Sequence, residues 1–252
     1  MSSWNRHRRP WQGPASLLLL LVLWQAGAVL ANSRLFPPPV AVAAIMGREV
    51  RDGGLLFHLG MSLMRVGISF VLAMVAGTAL GLALGLSRGL DRWLRTWLVV
   101  LLNIPALVVI VLAYVWIGLT ETALLVAVAL NKIPSVVVTL REGARALDRD
   151  FAEVAQVYRF GRLRTLRHVI GPQLAPYLLS TARNGLALVW KIVLVAELLG
   201  RSNGIGFQLQ TYFQLFDVGR IIAYAAAFVI CVLAIEAAVL GPLEHRTGRW
   251  RR

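Results

Sequence analysis

Apolar residues along this chain fall in blocks of helix length rather than at alternate positions, and short arginine-rich segments separate the blocks. A helix that crosses hydrocarbon needs about 20 largely apolar residues. Six blocks meet or approach that length: Ala15–Ala31, Met61–Leu86, Trp97–Ile117, Thr122–Leu140, Tyr177–Leu199 and Ile221–Leu240. The pattern predicts an all-α, polytopic membrane bundle of six transmembrane helices. Arg183, Asn184 and Lys191 interrupt the fifth block, Asn103 and Pro105 the third, and Pro134 the fourth. A proline frees a backbone carbonyl and kinks a helix, which suits a moving gate and a static bundle alike. Gly77, Gly81 and Gly85 form a small-residue stripe at four-residue spacing, which lets another helix approach closely, within the protomer or across a dimer.

Composition supports lipid as the solvent. The 252 residues are 58% hydrophobic and 15% charged, against roughly half apolar and a quarter charged in soluble domains. A formal charge of +14 raises the question of a nucleic-acid partner, but its placement answers otherwise. Arginines cluster in alternate connections, as cytoplasmic loops do: Arg6, Arg8 and Arg9; Arg88, Arg92 and Arg95; seven between Arg141 and Arg167; and Arg246, Arg249, Arg251 and Arg252. The intervening segments carry Arg34, Arg48, Arg51 and Arg201, partly offset by Glu49 and Asp52. Both termini are therefore expected in the cytoplasm, and no nucleic-acid partner is expected. The first block also has the form of a signal peptide, a basic start followed by a leucine run ending in small residues. Pro37, Pro38 and Pro39, followed by the helix-compatible run Val40–Met46, suit a segment lying along the outer membrane surface. Cys231 has no second cysteine to pair with and reads as a packing residue.

The connection between the fourth and fifth blocks, REGARALDRDFAEVAQVYRFGRLRTLRHVIGPQLAP, is long and rich in helix formers. Leu147, Phe151, Val154, Ala155 and Tyr158 recur at helical spacing, with Asp148 and Asp150 where acidic residues favour a helix start. A second short helix is expected after Gly161, through Leu163, Leu166 and Val169, ended by Pro172.

Glu153, Val154 and Ala155, then Arg159, Val169, Gly171 and Pro172, keep the spacing of a cytoplasmic signature, Glu-Ala-Ala, three residues, Gly, nine residues, Ile-x-Leu-Pro. On these residues the chain resembles the binding-protein-dependent permeases of ATP-binding-cassette importers. Together with the stretches PQLAPYLLSTARNGLALVWKIVLVAELLG and RSNGIGFQLQTYFQLFD, the resemblance points to permeases for alkanesulfonates, taurine and nitrate-like anions. It implies a type I importer permease fold in a bacterial inner membrane, with the first block retained as a span. It also implies a domain over 15–240 between a short tail, 1–14, and a basic tail, 241–252, with a coupling loop at 141–176. The partners it implies are a second permease copy forming a homodimer, a dimer of ATPases that hold ATP and Mg, and a periplasmic or lipid-anchored solute-binding protein. In that scheme Glu153, Val154, Ala155 and Tyr158 belong to a coupling helix that docks on the ATPase, with Glu153 and Ala155 making the contact. Arg159 stands where the signature has glycine, and Gly161 is positioned to supply the turn instead. The loop with Asn203, Gly204 and Gly206 would cap the pathway or touch the binding protein.

Ionisable residues within spans are costly and are functional candidates. Lys132, Lys191, Glu197 and Glu236 fit that description, and Lys132 and Lys191 are the only lysines in the chain. Either they line a pathway for an anion, with Asn103 at the break in the third span, or they pair with Glu197 or Glu236 across helices. The sequence has no phosphate-binding loop, zinc spacing or convincing nucleophile–base pair, so no enzymatic activity or cofactor is expected in this chain. The rival readings are a secondary transporter and a membrane enzyme built on His58, His168 and Glu153; the latter three fall on opposite membrane sides.

Overall fold

The computed structural model describes residues 12–240, and every regular element among them is helical. The tail clusters from Arg6 to Arg9 and from Arg246 to Arg252 lie outside the described residues. The chain begins with α1 (Gln12–Ala31), α2 (Pro39–Arg51) and α3 (Leu55–Leu86). It continues through α4 (Arg88–Asn103), α5 (Ala106–Ile117), α6 (Glu121–Arg145), α7 (Arg149–Val157) and α8 (Arg162–Thr165). A π-helical turn, Leu166–Ile170, leads into α9 (Gly171–Gly200), followed by α10 (Ile205–Gln214), α11 (Val218–Ile235) and a last π-helical turn, Glu236–Leu240.

Four uninterrupted helical stretches are long and apolar enough to cross a membrane: Leu55–Leu86, Glu121–Arg145, Leu163–Gly200 and Val218–Ala238. The expected third span is instead a broken pair, α4 and α5, bent by 96°. Pro105 causes the break: it has no N–H to donate, and its ring drives Ile104 into an extended conformation at ψ 123°. The first apolar block, Ala15–Ala31 in α1, is shorter than these four stretches. The other two prolines do not act as expected. Pro134 lies inside α6 without ending it, buried among neighbouring helices. Pro172 does not end the second loop helix, which runs on into α9; the turn before it widens, so that the Gly171 N–H donates to Leu166 O and the proline ring gains room.

The glycine stripe sets the central packing. A Cβ on Gly77 would lie 2.5 Å from Val136 Cβ, and one on Gly81 would lie 2.7 Å from Leu140 Cβ and 2.9 Å from Val137 O. Gly85 meets Ala144 in the same way. The stripe thus seats α3 directly on α6 within one protomer. The main core combines Leu124 and Val128 of α6, Val189, Trp190 and Val193 of α9, and Tyr224 and Phe228 of α11. The Trp190 and Phe228 rings meet edge to face at 5.5 Å. Large apolar residues such as Leu17–Leu23 of α1 face outward, as lipid permits and water does not.

The proline-led segment folds as α2, with Pro39 in the first turn, where its missing N–H loses no helical bond. Glu49 ties α2 to α11: it accepts from Arg220 Nε at 2.7 Å and from the Tyr224 hydroxyl at 2.9 Å.

Candidate functional site

At one end of the bundle, α7 is bounded by local chemistry. The Asp148 carboxylate accepts the Asp150 N–H at 3.0 Å and caps the helix. The Asp148 N–H donates to Gln173 Oε1 at 2.9 Å, linking α7 to the start of α9 beside Pro172. At the other terminus Phe160 N–H donates to Ala155 O at 2.8 Å and Arg159 N–H to Gln156 O at 2.9 Å. This paired arrangement requires a left-handed residue just past the helix, usually glycine. Arg159 supplies it, with φ 50°. The turn expected at Gly161 is therefore made by Arg159 itself, with the Arg164 guanidinium 4.5 Å over the Phe160 ring.

The exposed surface of α7 differs from expectation at one position. Ala155 is only 3% exposed, turned into the loop's own fold. Phe151, Val154, Val157 and Tyr158 stand outward instead, Val157 at 79% exposure, and Glu153 is exposed beside them. α7 and its C-cap thus expose four large apolar side chains, of which Tyr158 meets the Phe160 ring at 6.4 Å. Nearby, Asp91 of α4 accepts from Arg141 at 3.1 Å and from Arg145 at 2.5 Å, holding α4 against the end of α6.

The opposite end holds an ion-pair cluster that is buried at Arg65 and Glu197 and reaches the surface at Glu121. Arg65 of α3, fully buried, donates through Nη1 to Glu197 Oε1 at 2.7 Å and through Nη2 to Glu121 Oε1 at 2.6 Å. Arg201 Nη2 also reaches Glu121 Oε1, at 2.6 Å. Two arginines face two glutamates, so the formal charges cancel where a lone ion would be costly. The same side chains fold the following loop. Arg65 bonds both the carbonyl and the side chain of Asn203, and Glu197 Oε2 accepts the Gly206 N–H at 2.9 Å. Ser62 donates to Glu197 and accepts the Ile205 N–H at 2.8 Å, while the Gly204 N–H reaches His58 Nδ1 at 3.1 Å. Gly204 has φ 106°, and a side chain there would run into the Glu197 carboxylate.

The candidate pathway residues are dispersed. Glu197 is enclosed in this cluster rather than facing a pathway, and it pairs with Arg65, not with a lysine. Lys132, 3% exposed, donates to Ser135 Oγ at 2.7 Å and lies across Gly185, where a Cβ would be 2.7 Å from its Cε. Lys191 is exposed on α9, and Glu236 makes no ion pair among the described residues. The amide of Asn103 donates back to Val99 O at 2.7 Å beside the α4–α5 break. Arg65, Ser62, Glu121 and Arg201 were not singled out as one site from the sequence. The available signal was Arg65 itself, a cation inside the apolar run Met61–Leu86.

Residues 56–241 match the family described as the binding-protein-dependent transport system inner membrane component. A protein of Bacillus subtilis (strain 168) named as an aliphatic sulfonates transport permease is 27% identical over 98% of this chain and 90% of its own length. The taurine transport system permease protein of Escherichia coli (strain K12) is 28% identical over 92% of this chain and 86% of its own. Among solved structures, an inward-facing methionine ABC transporter superposes with a TM-score of 0.65 at 17% identity, covering 79% of this chain and 96% of that one. Spans, fold and family agree: the chain is a multi-pass inner-membrane transport permease, not an enzyme, and it belongs to the binding-protein-dependent permeases of ABC importers, in the sulfonate and taurine group.

Proposed function

We propose that this chain forms the translocation pathway of an ATP-driven importer for a small organic anion, an aliphatic sulfonate, taurine or a related compound. A homodimer of the chain would work with a dimeric ATPase, which holds ATP and Mg, and with an external solute-binding protein. Both termini and α7 lie in the cytoplasm in this reading. The observation that carries it is the apolar face of α7, exposed at Phe151, Val154, Val157 and Tyr158 on the segment whose spacing resembles the family's coupling signature. Exposed apolar side chains gathered on one short polar loop fit a protein partner, with Glu153 at their edge. The family and the sulfonate- and taurine-named relatives support the partner and substrate classes.

Val154→Asp and Glu153→Lys test the docking. Each is expected to reduce co-purified ATPase at least tenfold and to stop ATP-dependent uptake, while the permease still elutes as a folded dimer from size exclusion. Unchanged ATPase recovery with both variants would remove α7 from the contact. Uptake that persists when ATP hydrolysis is blocked would point to a gradient-driven carrier instead.

A further inference from the structure

α10 starts without a side-chain cap of its own: Gly204 precedes it, and the N–H groups of Gly204, Ile205 and Gly206 have no carbonyl within the helix to bond. All three residues are buried, so water does not take the donors. Each finds its acceptor on another helix. Gly204 N–H donates to His58 Nδ1 at 3.1 Å, Ile205 N–H to Ser62 Oγ at 2.8 Å and Gly206 N–H to Glu197 Oε2 at 2.9 Å. His58, Ser62 and Arg65 follow one another at helical spacing and form a polar stripe along α3, with Arg65 taking the Asn203 carbonyl.

The hydrogen bonds fix the form of the imidazole. A backbone N–H can only donate, so Nδ1 is bare and the ring proton sits on Nε2. Nε2 lies 2.6 Å from the side-chain amide of Gln208 in α10, whose oxygen accepts that proton. Both nitrogens are thus engaged, one accepting and one donating, and the Phe57 and Phe207 rings flank the imidazole at 5.2 and 6.3 Å. The ring is half-buried, within reach of protons from solvent.

A second ring proton has one place to go, Nδ1, where it would point at the Gly204 N–H, donor against donor. The charges on the neighbouring elements are already committed. α10 carries none; Glu197 of α9 and Glu121 of α6 are matched by Arg65 and Arg201, Glu49 of α2 is matched by Arg220, and Asp52 is exposed to water. An imidazolium would add an unmatched cation to a cluster whose formal charges otherwise cancel. Of the three acceptors that start α10, the Ser62 hydroxyl does not titrate near neutral pH and the Glu197 carboxylate is held by Arg65, Ser62 and Gly206. Histidine is the side chain whose charge changes between about pH 5 and 8.

We propose that His58 is a proton-sensitive latch that positions the 201–204 loop: neutral, it fastens Gly204 and the start of α10 to α3, and protonated it releases them. Acid at the α10 end of the bundle then loosens the loop while the Arg65–Glu197 pair stays in place.

Full-length permease in nanodiscs, carrying Cys231→Ala and a nitroxide on Ser202→Cys, reports loop motion by electron paramagnetic resonance. The mobile fraction is expected to rise about threefold or more between about pH 7.5 and about pH 5, and to fall again on neutralisation. His58→Asn keeps an acceptor near the Nδ1 position but does not titrate, so its loop should stay immobile at both pH values. His58→Phe keeps a ring without an acceptor, and its loop should be mobile at both; size-exclusion elution reports that each variant is folded. A loop that ignores pH in the protein with His58, an immobile loop in His58→Phe, or a pH response that persists in His58→Asn overturns the latch, the last by assigning the change to another group such as Glu197. Neither solute nor ATPase enters the measurement, so its failure leaves the importer reading standing.

Discussion

At the scale of single residues, Arg159 stands where the resembled signature has glycine, and it adopts the left-handed backbone that glycine takes most readily. A non-glycine residue in the left-handed region costs about 1–2 kcal/mol, and Arg159 holds φ 50° because the two closing hydrogen bonds of α7 demand it. Arg159→Gly is therefore expected to stabilise this turn by about 1 kcal/mol, seen as slower amide exchange at Tyr158–Phe160 with ATPase binding retained. Side-chain identity hid the backbone state of Arg159, so the turn was expected at Gly161. Arg65 shows the opposite limit. Its charge inside an apolar run was visible, yet its partners lie 56 and 132 residues away, beyond the reach of local pattern. Removing Glu197 alone, as Glu197→Leu, leaves Arg65 partly uncompensated and the Gly206 N–H unpaired, an expected loss of about 3–5 kcal/mol. Arg65→Met combined with Glu197→Leu should recover part of that loss. Purified yield and thermal inactivation of the single and double variants would measure it, and simple addition of the two losses would rule out the coupling.

At the scale of elements, glycine spacing was more informative than proline. The stripe Gly77, Gly81 and Gly85 was legible because a four-residue period in a helix has one structural consequence: a flat face. A proline has several outcomes, decided by neighbours that a sequence does not display. Pro105 breaks the chain by 96°, Pro134 is absorbed within α6, and Pro172 is accommodated by a widened turn. The helix seam supplies its own control. Gly81→Ala would set a methyl against the Val137 carbonyl, which cannot withdraw, and is expected to cost about 2 kcal/mol or more by prying α3 from α6. Gly67→Ala, on the same helix with nothing within 4 Å, should be neutral or stabilising by up to about 1 kcal/mol. Thermal-shift measurements in detergent separate the two; equal melting shifts would mean that the seam is not closely packed in the membrane.

At the scale of the whole molecule, the two ends of the bundle are chemically unlike, and the proposed importer function gives each end a different task. One end presents exposed apolar side chains on α7, whereas the other is tied by an ion-pair cluster to the loop that leads into α10. Which end faces which compartment follows from the arginine bias of the sequence, so a direct measurement decides the reading. The lone Cys231 lies half-buried in α11, and its replacement by alanine provides a cysteine-free background expected to transport normally. Val157→Cys at the α7 end and Ser202→Cys at the α10 end both place a thiol at an exposed position. A membrane-impermeant maleimide added to spheroplasts is expected to label Ser202→Cys at once, and Val157→Cys only after the membrane is opened. The reverse pattern would turn the bundle over and put the α7 face beyond the reach of any cytoplasmic ATPase.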